Sequence, residues 1–298
     1  MSDKVSTRLV YHCQFSTLPP VAKHPEDIDE LDVLTFPYSS ADYLKGKCSF
    51  MLQAVHSESL RLLRSVFTLQ MKRLTSVICD ISFVDKCTGY SAVSHDDKAI
   101  ILSFRGTDRN IQLIMESDET MQKTHTNWSA GGAVSKYFSN GFLKIWKNGM
   151  KDDLATLQSQ NAGYELWVRN HWPFSGWSNG LTCGFLHRSQ QLVTFGQPRT
   201  GDKVYAAAVE KEVPYAFRIT HAHDIVPHLP LENMEGYYHH KTEAFYNKGM
   251  EAGAHYLVCY DMGESTFCSD GNLLDTSAKD HLHYFGQDLS EYGVKGCK

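Results

Sequence analysis

An acidic residue and a histidine stand at positions typical of an acid–base pair in nucleophilic catalysis. Asp224 follows an apolar run predicted to be a strand, within HAHDIVPHLP, and His281 lies later, within DHLHYF. One large class of catalytic triads has the chain order nucleophile, acid, histidine. The acid holds the imidazole in one tautomer, and the imidazole takes a proton from a serine. The two residues therefore indicate two parts of a triad whose serine precedes Asp224.

The same region allows a metal-based alternative. His221, His223 and Asp224 form an H-x-H-D string at strand spacing, and His281 and His283 follow later in the chain. Zinc accepts histidine and carboxylate ligands of this kind. Histidines at strand ends more often cap or pack, so the sequence predicts neither a metal nor another cofactor.

Apolar runs that alternate with helical patterns must position these residues. Helical spacing occurs over residues 60–74, 131–157 and 202–212, and strands are predicted over 88–94, 98–104, 164–168, 192–199 and 213–220. The alternation predicts an α/β fold with a mostly parallel central sheet and helices on both faces. In such sheets the chemistry lies at the carboxyl ends of the strands, where Asp224 stands.

Composition narrows the classes of function. The chain has 298 residues, of which 42% are hydrophobic and 21% charged, enough for one large domain. A net charge of -5 gives no basis for binding nucleic acid or an anionic membrane surface. No apolar run approaches the roughly 20 residues of a membrane span. The N-terminus as written lacks the apolar core of a signal peptide.

The eight cysteines leave the redox compartment open. Disulfides would suit a secreted protein, whereas reduced thiols would suit a cytosolic one. Asn127-Trp128-Ser129 is a glycosylation sequon. The candidate disulfide pairs are Cys79 with Cys87, Cys259 with Cys268, and Cys48 with Cys297.

From about Cys79 to Cys297 the chain resembles the fungal-type (class 3) triacylglycerol lipases, most of all their secreted nematode members. The matching strings, in family order, are AIILSFRGTD, GGAVSKYFSNGFLKIW, YELWV, LVTFGQPRTGD, FRITHAHDIVPHLP, GYYHHKTEAFY, CSDG and DHLHYF. The resemblance implies an α/β-hydrolase domain over residues 48–298, with residues 1–47 unplaced. It also implies a secreted, extracellular and monomeric protein that acts on lipid esters at an interface.

The resemblance assigns roles to individual residues. Asp224 corresponds to the triad acid and His281 to the triad base. Thr107, which follows Arg105-Gly106, corresponds to a residue whose backbone N–H contributes to the oxyanion hole. The segment that follows corresponds to a lid over the site, with candidate residues Asp108, Ile111, Leu113 and Ile114.

The family's nucleophile elbow, GHSLGG, is missing after the strand at 164–168. A G-x-S-x-G string does occur over residues 176–180, which makes Ser178 a candidate nucleophile. An elbow requires the serine at a sharp turn directly between strand and helix. Ser178 stands well beyond Val168, and the residues after it have no helical pattern.

The codons of residues 171–186 give a better account when they are read one base later. With allowed choices at the open bases, the shifted codons spell TGHSLGGAMASLAAS. Trp172 dictates the first glycine of this string, and Trp177 dictates the last glycine of its GG pair. The sequence therefore predicts that the reading frame is lost after Val168 and regained before Leu192.

Two functions follow from these observations. The first is hydrolysis of triacylglycerol-type lipid esters in lipid metabolism, with the chain as written inactive or strongly impaired because the serine is absent. The alternative is a pseudoenzyme that binds lipid without hydrolysis.

Overall fold

A central sheet of eight strands organises the molecule. A computed structural model of the chain describes residues 69–78, 86–104, 125–129, 131–170, 190–213, 215–232, 236–250, 254–260, 263–272 and 276–288. The strands in chain order are β1 Leu69–Ile78, β2 Lys86–Ser94, β3 Ala99–Phe104, β4 His125–Asn127, β5 Ala133–Ser135, β6 Glu165–Asn170, β7 Gln190–Phe195, β8 Gly201–Asp202, β9 Tyr215–His221, β10 Tyr237–Tyr238, β11 Glu243–Tyr246, β12 Leu257–Cys259, β13 His283–Tyr284 and β14 Gln287–Asp288.

The strand order of the large sheet is β1-β2-β3-β6-β7-β9-β11-β12. From β3 to β11 neighbouring strands run parallel, whereas β1, β2 and β12 pair antiparallel at the two edges. The prediction of a mostly parallel sheet is therefore confirmed. Because the carboxyl ends of β3, β6, β7, β9 and β11 meet at one edge, residues that follow these strands are brought together there.

The core around β3 forms because this strand is apolar on both faces. All six residues of β3 are buried, and Ile100, Leu102 and Phe104 face a helical layer. That layer consists of α1 Lys136–Ile145, α2 Lys151–Gln160 and α3 Lys203–Glu212. Ile101 and Trp167 belong to a core on the opposite face, where the described residues include no α-helix. The second helical layer therefore stays a prediction.

The long helix predicted over 131–157 is divided in two. A π-helical turn over Trp146–Met150 separates α1 from α2, and Gly149 within it has φ +118°. A Cβ atom at Gly149 would stand 2.8 Å from the Arg73 guanidinium. Arg73 in turn donates to the buried Asp153 carboxylate across 2.9 Å. Glycine thus allows the close approach that ties the helical layer to the edge strand β1.

The helix predicted over residues 60–74 is wrong for residues 69–74, which begin β1. The pairing of β1 with β2 shifts register between Met71 and Arg73, so the strand carries a bulge at Lys72. One extra residue changes the alternation of apolar positions from a spacing of two to a spacing of three. Met71 and Leu74 therefore mimic helical spacing. Residues 60–68 lie outside the described part of the chain.

A smaller sheet with the order β10-β8-β5-β4 flanks the helical layer. Asn127, the sequon asparagine, is exposed at the end of β4. None of the described helices has the length and hydropathy that a membrane crossing requires. The proposed division into residues 1–47 and 48–298 falls on residues outside the described ranges.

Candidate active site

Asp224 lies at the carboxyl edge of the large sheet, shortly after β9 ends at His221. The chain leaves β9 at His221 and turns through Ala222, which has the left-handed φ of +44°. Such a φ is costly for a residue other than glycine and persists only where the surroundings enforce it. The Asn272 side-chain amide donates to the Ala222 carbonyl across 2.9 Å. The hydrogen bond from Asn272 therefore holds the turn that leads to the buried Asp224.

The structure brings His281 to Asp224. His281 lies in a short 3-10 helix over Asp280–Leu282, and its Nδ1 is 2.9 Å from Asp224 Oδ2 and 3.1 Å from Oδ1. The two side chains are each 1% exposed. Because Nδ1 faces the carboxylate, Nε2 is the ring nitrogen that a nucleophile's proton would reach.

Two further donors hold the Asp224 carboxylate. The Val226 N–H donates to Oδ1 across 2.8 Å, and the Tyr284 hydroxyl donates to Oδ2 across 2.8 Å. Burial alone would raise the pKa of Asp224, but His281 and these two hydrogen bonds hold the pKa below its ordinary value. Burial and the nearby Asp224 charge raise the pKa of Tyr284, so its hydroxyl stays protonated. The acid is thus kept ionised and fixed in position.

Gly196, the first residue after β7, packs directly against the pair. It has a φ of +54°, and a Cβ atom there would stand 2.6 Å from both Asp224 Oδ2 and His281 Nδ1. Any side chain at this position would therefore separate the acid from the histidine. The carboxyl end of β7 thus forms one wall of the site.

The loops that carry Asp224 and His281 are fastened to each other. Ser277 N–H donates to the His223 carbonyl across 2.5 Å, and His223 N–H donates to Asp280 Oδ2 across 3.1 Å. Asp224 and Ser277 also form an isolated parallel bridge. These contacts fix the separation of Asp224 and His281.

Several predicted site residues lie outside the described part of the chain. They are Thr107, Asp108, Ile111, Leu113, Ile114, Ser178, Cys48, Cys79 and Cys297. The pairing of Cys259 with Cys268 is present, with a Cα–Cα distance of 6.5 Å. Cys87 is disulfide-bonded, while its predicted partner Cys79 is among the residues that are not described.

The H-x-H-D string does not assemble as a ligand set. Asp224 is engaged by His281, and the backbone N–H of His223 binds Asp280. His283 Nδ1 lies 3.0 Å from the Lys279 carbonyl. In the described ranges, no cluster of three or more His, Cys, Asp or Glu side chains has the geometry to hold a metal ion.

Sequence reasoning missed the buried cations below the site. Arg199 is 2% exposed and binds Glu264 through two hydrogen bonds of 2.9 and 2.6 Å. Arg218, fully buried in β9, donates to the Gly263 carbonyl across 2.8 Å and approaches Glu243 at 3.4 Å. Both guanidinium groups therefore anchor the segment from Gly263 onward. Both arginines lie within matching strings, Arg199 in LVTFGQPRTGD and Arg218 in FRITHAHDIVPHLP, but neither string indicates that its cation is buried.

Two buried histidines beside these cations predict acid sensitivity. Burial, and then the charge of Arg218, lowers the pKa of His240 from 6.5 to about 4. Between pH 6.5 and 4 the unfolded chain binds a proton at His240 that the folded chain does not bind. The free energy of unfolding should therefore fall as the pH falls through this window. By linkage the loss from His240 is roughly 3 kcal/mol.

Urea unfolding at pH 7 and at pH 4.5 measures this loss. His240→Gln removes the titrating group and should give a shallower fall over the same window. Because burial also lowers the pKa of His239 well below its ordinary value, some slope should remain in the variant. An equal slope for the two proteins would show that His240 is not buried in its neutral form.

Comparison with known proteins places the fold and the sequence in one family. The lipase (class 3) family model matches residues 101–172 and 177–234. A lipase of Caenorhabditis elegans is 34% identical over 258 residues, which cover 74% of this chain and 71% of that protein. The secreted mono- and diacylglycerol lipase A of Penicillium cyclopium is 31% identical over 176 residues, 54% of this chain and 52% of that protein.

Solved structures give the same fold. The lipase from Rhizopus microsporus var. chinensis superposes with a TM-score of 0.68 at 22% identity, covering 83% of this chain and 87% of that one. The α/β-hydrolase class is thereby confirmed. The nematode relative and the matched family ranges agree with this fold. The chain belongs to the class 3 lipase family.

Proposed function

We propose that the chain is a lipid ester hydrolase by descent in which Asp224 is the acid and His281 is the base of a serine triad. The buried pair at the carboxyl edge of the sheet carries the proposal, because its Nδ1–Oδ2 distance of 2.9 Å is that of a charge-assisted hydrogen bond. Family membership supplies the lipid ester as substrate class.

In the proposed mechanism, a serine hydroxyl attacks the ester carbonyl carbon while His281 Nε2 takes its proton. The tetrahedral intermediate collapses, the ester C–O bond breaks, and Nε2 returns the proton to the departing alcohol. Water then attacks the acyl-serine by the same route and releases the fatty acid. Asp224 stabilises the imidazolium in both halves. The backbone N–H of Thr107 is proposed to stabilise the oxyanion, and the segment 108–115 is proposed to be the lid.

The nucleophile is proposed to be encoded out of frame between Val168 and Leu192. β6 continues past Val168 to Asn170. The lipase (class 3) family model leaves residues 173–176 unmatched. The second matched range includes Ser178, which is the competing candidate. The shifted-frame string favours the first account, because it puts a serine directly after the strand with a helical sequence behind it.

Sequencing the mature transcript tests the frame directly. Codons for residues 171–186 that cannot spell TGHSLGGAMASLAAS one base later would refute the shift. In-frame exons that restore GHSLGG would establish an ordinary enzyme. A mature transcript that keeps the present frame would favour the alternative, a lipid-binding pseudoenzyme. The absence of GHSLGG from the amino-acid sequence supports this alternative.

Ser178→Ala provides the matching test on the protein. The chain as given should hydrolyse p-nitrophenyl butyrate little faster than buffer, and the substitution should change the rate by less than about twofold, since Ser178 is not the nucleophile of the proposed triad. Appreciable turnover that Ser178→Ala abolishes would make Ser178 the nucleophile.

An extracellular location is also proposed. The Cys259–Cys268 disulfide and the disulfide-bonded Cys87 are typical of an oxidising compartment. The exposed Asn127 would be open to glycosylation there. The Penicillium relative is itself described as secreted.

A further inference from the structure

Phe267 is the most exposed large apolar residue in the described part of the chain, with 81% of its surface accessible. It directly precedes Cys268, whose disulfide partner Cys259 ends β12. Leu257 shares the strand face of Cys259, because alternate residues of a strand point the same way. Leu257 is itself 52% exposed. The disulfide therefore brings two exposed apolar side chains to one part of the surface.

The backbone around Phe267 is fixed even though its side chain is exposed. On one side, Glu264 is bound by Arg199, and Ser265 N–H donates to Asp270 Oδ2 across 3.0 Å. On the other side, Cys268 is bridged to β12, and Ser269 N–H donates to the buried Glu243 across 3.2 Å. A side chain presented from a fixed backbone loses little entropy when it is buried by a partner.

This patch lies beside the candidate site. Asn272, which ends the short 3-10 helix after Phe267, donates to the carbonyl of Ala222 across 2.9 Å. Ala222 is in the turn that leads to Asp224. A fully extended chain from Phe267 to Asn272 would span at most about 18 Å. Phe267 is therefore close enough for one surface to contact it while supplying substrate to the site.

The area and the charge of the patch favour a lipid surface over a protein. A single aromatic side chain buries about 150–250 Å², whereas a stable protein interface needs about 800 Å² from each partner. A lipid surface accepts single inserted side chains. In the described stretches 254–260 and 263–272 the carboxylates are those of Glu264 and Asp270, Arg199 pairs with both, and there is no lysine or arginine. Nothing in these stretches provides an attraction for anionic headgroups.

We propose that Phe267, together with Leu257 across the Cys259–Cys268 bridge, inserts into uncharged lipid surfaces next to the Asp224–His281 pair. The proposal depends on the proposed function for its partner, a lipid surface that carries the ester substrate. The proposal adds a lipid contact beside β12 that is made by residues other than those of the proposed lid segment 108–115.

Sedimentation with phosphatidylcholine vesicles tests this contact without requiring hydrolysis. Phe267→Ser should weaken the partition coefficient about tenfold or more, because the apolar area that it buries in lipid is lost. Val204→Ser is the matched control, since Val204 is 60% exposed at the start of α3. It should leave binding unchanged. Raising salt from 0.1 to 0.5 M should have little effect on either protein.

Thermal unfolding monitored by circular dichroism should be the same for wild type and Phe267→Ser, since the side chain is exposed. Wild-type protein that does not bind these vesicles, or equal binding by wild type and Phe267→Ser, would overturn the proposal. So would a Phe267→Ser variant that loses only self-association. Phe267-dependent binding would support the contact even without hydrolysis, because the chain as given is expected to be inactive. A chain with GHSLGG restored after β6 that binds these vesicles but hydrolyses no soluble ester would count against the hydrolase alone.

Discussion

Replacing residues 169–185 with TGHSLGGAMASLAAS should convert a chain with little or no esterase activity into one that hydrolyses a soluble short-chain ester. The replacement puts a serine directly after β6, which lies between β3 and β7 in the sheet. β7 ends at Phe195, and the next residue, Gly196, packs against the Asp224–His281 pair. Because Asp224 and His281 are already hydrogen-bonded to each other, the replacement supplies the nucleophile that the proposed triad lacks. We expect a rise in kcat/KM of about 10³-fold or more.

Hydrolysis of p-nitrophenyl butyrate by the two purified chains measures this rise. The matched control has the same replacement with alanine in place of the first serine of the string, and its rate should equal that of the chain as given. A restored chain that melts cooperatively and yet hydrolyses no faster than its alanine control would contradict the proposed triad.

In the restored chain, His281→Ala and Asp224→Asn should each lower kcat by about 10⁴-fold or more. Loss of His281 removes the group that takes the serine proton. An asparagine in place of Asp224 would present either an amide N–H or a neutral oxygen to His281 Nδ1, and neither stabilises the imidazolium. Because the pair acts as a unit, the double variant should be little slower than the slower single variant.

Single-turnover kinetics on the same ester measure these losses. His283→Ala is the matched control, because His283 lies near His281 in sequence but its Nδ1 faces the Lys279 carbonyl. It should keep kcat within about threefold of the restored chain. Activity that survives His281→Ala within tenfold of the restored chain would exclude His281 as the base.

β3 was predictable because it is an almost continuous apolar run that is buried on both faces. β3 has six buried residues, and its sequence AIILSF contains no polar interruption except Ser103. Asp224 and His281 were predictable because one follows a strand and both stand within strings that match a family. Chain order and the family resemblance predicted that the two residues form a pair. The distance between His281 Nδ1 and Asp224 Oδ2 could be obtained only from the structure.

Gly196 and Tyr284 also lie within matching strings, but no local pattern indicates what they contact. Gly196 is required by a contact with Asp224 and His281, residues far from it in sequence. No local pattern in the sequence distinguishes Tyr284 from the other aromatic residues. Its hydroxyl donates to Asp224 across 2.8 Å in the structure. β1 was mistaken for a helix over residues 69–74 because a bulge imitates helical spacing. In each case the decisive interaction is long-range, and local periodicity reports only local structure.

Labelling with a fluorophosphonate, which reacts with activated serines, tests the central claim most directly. The chain as given and the restored chain are each treated and analysed by intact mass and peptide mapping. We expect a single adduct on the first serine of TGHSLGGAMASLAAS in the restored chain, lost in His281→Ala, and no adduct on the chain as given. An adduct on Ser178 in the chain as given, or no adduct on a folded restored chain, would contradict the account.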